Sequence, residues 1–233
     1  MRKFVIVLIL GALFGSGSFA QLSNMSFGVR GSIGNSNLAL EDETKRELGS
    51  EFPYYSINNE AIGTGGFAFW GNYSFPSLPA LGIQAELGFL FNNGTKLSVQ
   101  GLSDSIYVKI EDKVTYTTME LPFLVTYTVN QGGFFEFIPQ AGFYLSFPIG
   151  KIQQKLNASV AGYSLSETSK DKIDTVCIFG MTLGMDFAFN FTKNHALVPN
   201  LRYMLDLGKI ESDGDIGTRS LFLCSLGYRY TVK

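Results

Sequence analysis

Residues 81–92 read LGIQAELGFLFN, and side chains of opposite character alternate along this stretch. In an extended chain, successive side chains point to opposite faces. One face would carry Leu81, Ile83, Ala85, Leu87, Phe89 and Phe91, and the other would carry Gly82, Gln84, Glu86, Gly88 and Asn92, with Leu90 as the exception. A period of two over a dozen residues predicts a β-strand with one apolar and one polar face.

The same alternation recurs elsewhere in the chain, and the sequence predicts eight strands. The other seven are residues 25–33, 67–73, 115–129, 135–147, 177–190, 197–207 and 219–230. Short connections near 74–79, 130–133 and 192–195 alternate with long ones near 35–60, 93–113, 148–174 and 208–218. An even strand number, with tight turns at one end and long loops at the other, predicts an all-β fold, an eight-stranded antiparallel up-and-down transmembrane β-barrel.

A soluble ligand-binding barrel would show the same alternation with the apolar face turned inward. The polar face argues against it, because that face combines many glycines with charges of both signs. The charges are Arg30, Glu86, Glu120, Glu136, Asp186, Arg202, Asp206, Arg219 and Arg229. Glycine weakens a solvent-facing strand but leaves room for large side chains inside a narrow barrel. We therefore expect the polar face to line the lumen and the apolar face to meet lipid.

Composition narrows the chemistry that the chain can carry. Hydrophobic residues make up 45% of its 233 residues and charged residues 16%, with a net charge of −2 that gives no footprint for nucleic acid. Two cysteines exclude a disulfide scaffold and a cysteine-based zinc cluster. The single histidine, His195, lies in a predicted tight turn, where we expect it to be solvated. We therefore predict no catalytic residue, no metal site and no cofactor.

The first twenty residues have the composition of an export signal. Arg2 and Lys3 precede an apolar core, residues 4–14, and small residues lead to Ala20. This arrangement predicts a signal peptide over 1–20 and a barrel domain over 21–233. Export combined with a transmembrane barrel predicts the outer membrane of a two-membrane bacterium. Both chain termini would then face the periplasm.

Several segments resemble a known family. Residues 116–125, YTTMELPFLV, resemble the Y-L-E-I-P-L-L strand of the PorT-like outer-membrane β-barrel domain. Segments resembling that family's other strands are FGVRGS at 27–32, AGFYLS at 141–146, FGMTLGMDF at 179–187, LRYMLDL at 201–207 and LGYRY at 226–230. The chain departs from the family at its end, where Thr231, Val232 and Lys233 follow the last aromatic residue. The resemblance implies a role in outer-membrane assembly or protein secretion.

The inward-facing charged residues form the main group of polar side chains in the predicted barrel. We expect a lumen charge network of Arg30, Glu86, Glu120, Glu136, Asp186, Arg202 and Arg229. Opposite charges forced together in a narrow interior should pair, because an unpaired buried charge is very costly. An eight-stranded barrel is just wide enough to be filled by side chains. The pattern favours a plug, and a gated or selective conduit is the alternative. Pro122, which lacks a backbone donor, also predicts a bulge beside Glu120.

These observations favour a non-enzymatic outer-membrane barrel whose long loops serve structural, surface-interaction or assembly and secretion roles. The expected partners are outer-membrane lipid, the barrel-assembly machinery and proteins bound through the loops. A small transport pore is an alternative of a different class. A secreted lipid-binding barrel is a third.

Overall fold

The computed structural model describes residues 24–39, 55–103, 106–160, 163–173, 175–208, 210–212 and 214–232. The predicted signal peptide lies outside these residues. The described residues form ten strands: β1 Met25–Ala39, β2 Tyr55–Phe75, β3 Leu78–Ser103, β4 Ile106–Tyr127, β5 Phe135–Val160, β6 Tyr163–Lys172, β7 Ile178–Asn190, β8 His195–Asp206, β9 Ile210–Ser212 and β10 Gly214–Thr231. Within the described part of the chain, no helix is long and apolar enough to cross a membrane.

Eight of the strands close into an antiparallel ring. The order is β1-β2-β3-β4-β5-β7-β8-β10, and β10 pairs with β1 to complete it. The closing register runs from Ser26 opposite Thr231 to Ala39 opposite Thr218. β6 pairs with β5 and β9 pairs with β10 outside the ring. The predicted eight-stranded antiparallel up-and-down barrel is confirmed.

Tight turns join the ring strands at one end of the barrel, which we call the short-turn end. They span residues 76–77, 128–134 and 191–194. All three coincide with the short connections that the sequence predicts. Both ends of the described chain, Asn24 and Val232, also lie at this end, where Val232 donates its backbone N–H to the Met25 carbonyl at 2.9 Å.

The outer wall is apolar and the lumen is polar, as the alternation predicts. Phe123 and Phe143 lie side by side in the β4–β5 register and are 54% and 53% exposed. Glu120 and Gln140, on the opposite face of the same strands, are buried. A closed ring leaves no unpaired strand edge, which permits an apolar wall to contact lipid. The fold is that of a transmembrane β-barrel.

The long connections predicted at 93–113 and 148–174 are largely strand, so that part of the prediction is wrong. β3 and β4 continue to pair as far as Ser103 opposite Ile106, and β5 continues to Val160 before it turns back into β6. We call this region the extended sheet: residues 55–61 of β2, 95–103 of β3, 106–115 of β4 and 151–160 of β5, together with β6. The long strands therefore rise well beyond the ring, at the end opposite the short turns.

Two irregularities mark the boundary between the ring and the extended sheet. The β3–β4 register shifts between Leu90 and Asn93, where Asn92 has a φ of 59°. The β4–β5 register shifts opposite Gly150, which has a φ of 85° that glycine adopts without strain. No shift occurs at Pro122, so the bulge predicted there is wrong. The β3–β4 pairing is interrupted beside Pro122 and resumes in the same register, because a missing N–H removes a bond without adding a residue.

Candidate functional site

The lower half of the lumen, nearest the short turns, contains two arginines paired with two carboxylates. Arg202 on β8 donates two hydrogen bonds to Glu86 on β3, at 2.7 and 2.8 Å. Arg30 on β1 lies 3.2 Å from Glu86 and 3.4 Å from Asp186 on β7. All four side chains are buried. Their charges balance, so this lower cluster ties four strands together with no net charge.

Amide side chains complete the lower cluster. Gln84 donates to Glu86 at 2.6 Å, and Asn200 donates to Asp186 at 2.6 Å. Gln140 donates to Asp186 at 2.9 Å and accepts from Arg202 at 3.0 Å. These amides therefore add hydrogen bonds to Glu86 and to Oδ1 of Asp186 beyond those that the arginines donate.

A second cluster lies higher in the lumen and centres on one arginine. Arg219, which is fully buried, donates two hydrogen bonds to Asp206, at 3.0 and 3.1 Å, and one to Glu120 at 3.0 Å. Thr118 and Ser146 donate further hydrogen bonds to Glu120, at 2.6 and 3.0 Å. This upper cluster sets one arginine against two carboxylates, and both carboxylates depend on the same guanidinium.

A separate ion pair lies at the mouth of the short-turn end. Arg229 donates to Glu136 at 2.6 Å and to Asn190 at 2.8 Å. The backbone N–H of Gly132 donates to the other Glu136 oxygen at 2.7 Å. Here a cavity of about 140 Å³ is lined by the pair, Trp70 and Gln84, among others. A cavity of this size has room for several water molecules.

Apolar layers separate the charged clusters. The inner face of β8 shows the order from the short-turn end: Ala196 and Val198 are apolar, Asn200 and Arg202 belong to the lower cluster, Met204 is apolar and Asp206 belongs to the upper cluster. The middle layer contains Leu90, Tyr144, Met204, Leu221 and Leu223. A further layer of Leu38, Tyr116, Ile152 and Ile178 lies above the upper cluster.

Two glycines make room for the large aromatic side chains in the lumen. A Cβ on Gly28 would overlap the indole of Trp70, and one on Gly180 would overlap the ring of Tyr144. Trp70 in turn lies under the guanidinium of Arg30, 5.5 Å from the ring centroid. The Tyr144 hydroxyl donates to Asp206 at 2.5 Å. The glycines therefore allow each aromatic ring to reach a charged cluster.

The seven residues predicted as a lumen charge network all lie in the lumen, but their partners differ in one respect. Glu86 and Glu136 pair with arginines from the predicted set, whereas Glu120 pairs with Arg219. Arg219 and Asp206 belong to the predicted polar face but not to the predicted network. The β10–β8 register, with Ser220 opposite Leu205, places Arg219 beside Asp206, and Arg219 reaches Glu120 across the lumen.

His195, predicted as a solvated residue within a tight turn, lies where that turn joins the next strand and is partly exposed. His195 is the first residue of β8, and its ring shares a hydrogen bond with the Tyr228 hydroxyl. It also lies 5.3 Å from the ring of Tyr230 and is stacked with Phe191. Over the residues that the structure describes, no group of three or more His, Cys, Asp or Glu side chains could hold a metal ion.

The extended sheet has a different charge pattern from the lumen. Lys96 lies 2.7 Å from Glu60 and 3.5 Å from Glu111, and Lys109 lies 2.8 Å from Glu111. The hydrogen bond from Lys109 lowers the pKa of Glu111, and the hydrogen bond to Glu60 raises the pKa of Lys96. On the other face, Asp112 accepts from Gln154 at 2.6 Å, and burial raises its pKa.

No protein-family model matches the chain, and no curated protein matches it in sequence. The PorT-like resemblance therefore stays a prediction. Among solved structures, Neisserial surface protein A is 12% identical, with 90% of this chain and 97% of that chain covered and a TM-score of 0.45. The attachment invasion locus protein Ail of Yersinia pestis is 12% identical over 88% and 97%, with a TM-score of 0.40. Outer membrane protein OprG from Pseudomonas aeruginosa is 10% identical over 91% and 98%, with a TM-score of 0.48.

Proposed function

We propose that this protein is a non-enzymatic barrel of the bacterial outer membrane that does not conduct and that holds the extended sheet at the cell surface. The observation that carries the proposal is the filling of the lumen. Two buried charge clusters and the apolar layers between them occupy the interior of the ring. A solute crossing the barrel would have to break these ion pairs and displace the apolar side chains.

The energetics support a structural role for the lumen charges. Separating a buried ion pair by removing one partner costs about 3–5 kcal/mol, because a charge is left without compensation. Within the described residues, Arg219 is the cation paired with both Asp206 and Glu120, and Glu86 is shared by two arginines. Breaking the contacts of either shared residue, Arg219 or Glu86, would leave buried charges unpaired. This cost suits a permanent plug better than a gate that opens repeatedly.

The placement in the outer membrane rests on the predicted signal peptide, the apolar outer wall and the difference between the two ends of the barrel. The predicted signal peptide supplies export, and the apolar outer wall requires a lipid surrounding. In outer-membrane barrels the short turns face the periplasm and the longer connections face outward. The extended sheet would accordingly stand outside the cell, with both termini in the periplasm.

The extended sheet is the part suited to surface interactions. It is formed from five neighbouring strands, and β6 pairs with β5 on one side only. The outward role that we propose is structural or adhesive. A role as an accessory in outer-membrane assembly or protein secretion follows from the PorT-like resemblance alone.

Protease protection tests the proposed placement. Trypsin added to vesicles or cells that carry the folded protein should cut at Lys155 or Lys170 in the extended sheet and spare Lys193 in the short turn. Heat-modifiable gel mobility of the same sample reports whether the barrel is folded and inserted. Cleavage at Lys193 in sealed cells with the extended sheet protected would contradict the orientation. A folded protein that remains in the soluble fraction would contradict membrane placement altogether.

A further inference from the structure

The outward face of the extended sheet is strongly basic. Residues directly opposite each other on neighbouring strands share a face of the sheet. The outward side chains include seven lysines: Lys96, Lys109, Lys113, Lys151, Lys155, Lys170 and Lys172. Glu60 and Glu111 are the acidic residues that oppose them on this face within the described residues. We call this surface the basic face.

The lysines of the basic face are concentrated in adjoining rows. Lys96, Lys113 and Lys155 lie directly opposite one another across β3, β4 and β5. Lys151 lies opposite Lys172 on β6. Like charges placed directly opposite each other destabilise a sheet. Lys113 and Lys155 therefore repel each other unless an anion lies between them.

The glutamates neutralise only one side of the basic face. Glu60 and Glu111 pair with Lys96 and Lys109. Over the described residues the structure gives no ion pair to Lys113, Lys151, Lys155 or Lys170. Lys151, Lys155 and Lys170 are exposed, and Lys113 is half-buried. Their ammonium groups are consequently available to an anionic ligand.

The position of these lysines relative to the lipid-facing wall identifies that ligand. On β5 the apolar wall continues to Ile149, which is 42% exposed, and Lys151 follows two residues later on the same face. On β4, Lys113 lies four residues beyond Thr117, or about 13 Å along the strand. Tilt of about 40° reduces the height above the apolar belt to about 10 Å. Each headgroup layer of a bilayer is roughly 5–8 Å thick, so flexible lysine side chains at these positions reach it.

We propose that Lys113, Lys151, Lys155 and Lys170 bind the phosphate groups of outer-leaflet lipid headgroups. The inference rests on the proposed outer-membrane placement, with the extended sheet on the outer side. Because the basic face continues the lipid-facing wall upward, it meets the headgroups sideways, while a soluble partner would approach from above. Ammonium groups donate charge-assisted hydrogen bonds to phosphate oxygens. The bound headgroups would anchor one side of the barrel and relieve the repulsion between Lys113 and Lys155.

A lipid titration of the full-length protein tests the proposal. The protein is folded in a zwitterionic detergent, diphosphoryl lipid A is added, and the temperature at which the heat-modifiable band converts gives an apparent dissociation constant. Basic residues near an anionic membrane surface each contribute enough to change affinity about fivefold. Lys155→Gln should weaken lipid A binding about fivefold, and Lys113→Gln, Lys155→Gln and Lys170→Gln together should weaken it about a hundredfold. Lys193→Gln removes the same charge at the short-turn end and should leave the affinity unchanged.

Three results would overturn the proposal: the triple variant binds lipid A as tightly as the wild type, Lys193→Gln weakens binding as much as Lys155→Gln, or inorganic phosphate at the same concentration protects equally well. Should the triple variant fail to fold, the comparison of Lys155→Gln with Lys193→Gln decides. Failure of the wild-type protein to give a heat-modifiable band at all would instead count against the proposed function.

Discussion

Arg219 is the position where a single substitution should be most damaging. Its guanidinium holds Asp206 through two hydrogen bonds and Glu120 through a third, all within 3.1 Å. Replacing Arg219 with Met keeps much of the side-chain volume and leaves two buried carboxylates without a cation. Because removal of one partner of a buried pair costs about 3–5 kcal/mol, Arg219→Met should lower the free energy of unfolding by at least that amount.

The carboxylates of the same cluster provide the matched comparison. Glu120→Gln leaves Arg219 and Asp206 as a balanced, doubly hydrogen-bonded pair, and should cost only about 1 kcal/mol, as for one hydrogen bond. The triple variant Arg219→Met, Glu120→Gln, Asp206→Asn removes all three charges. It should be more stable than Arg219→Met alone, because no charge is left unpaired.

Urea titration of the protein in phospholipid vesicles measures these differences. Trp70 is the chain's single tryptophan and lies in the lumen, so its fluorescence reports the loss of lumen packing. Gel mobility of the same samples checks that the barrel opens at the same urea concentration. An Arg219→Met variant that loses less than about 1 kcal/mol, or no more than Glu120→Gln loses, would refute the shared role of this guanidinium.

Three further substitutions test other parts of the structure. Phe143→Arg, in the middle of the apolar wall, should make the free energy of folding into vesicles less favourable by about 2–4 kcal/mol. Phe135→Arg, near the short turns, should cost only about 0–1 kcal/mol. Equal costs would show that the wall does not face lipid. Gly180→Ala should cost about 1–3 kcal/mol because its Cβ meets the Tyr144 ring, whereas Gly31→Ala points into open space and should be neutral in the same unfolding titration. Burial raises the pKa of Asp112 in the folded state. The contribution of this carboxyl to stability is therefore most favourable at pH values below its unfolded-state pKa, and it is lost as the pH rises through its folded-state pKa. Asp112→Asn should therefore slow hydrogen exchange in residues 106–115 at neutral pH and make no difference below about pH 4; slower exchange at both pH values would contradict this linkage.

The ring strands could be predicted because the membrane imposes a simple rule on them. A side chain facing lipid must be apolar, so Phe123 and Phe143 identify one face and Glu120 and Gln140 the other. Alternation with a period of two then fixes each strand without reference to its neighbours.

The extended sheet escaped prediction because the two faces exchange character above the membrane. Along β4 the outward residues change from Phe123 and Met119 to Lys113 and Lys109, while the inward residues become apolar at Val114 and Ile110. Along β4 the alternation continues without a break, whereas the irregularities of the boundary lie on β3 and β5. Following this alternation, with the two faces allowed to exchange character, would have predicted the extended part of β4.

The partner of Glu120 could not be predicted because it depends on the register between distant strands. Arg219 and Glu120 are separated by 99 residues, and they meet across the lumen rather than along the sheet. Shear of the closed ring sets their relative height, and no local pattern encodes it. The same holds for the apolar layers, which become visible only when the strands are aligned.

Single-channel recording in planar lipid bilayers tests the central claim, that the lumen is filled, most directly. Purified wild-type protein, shown to be folded by its heat-modifiable mobility, should insert without producing steady conductance steps, because the Arg202–Glu86 and Arg219–Asp206 pairs block the interior. The triple variant that neutralises the upper cluster should remain closed as well, since the lower cluster and the apolar layers persist. Stable, ion-selective channels from the wild-type protein would contradict the account and indicate a transport pore.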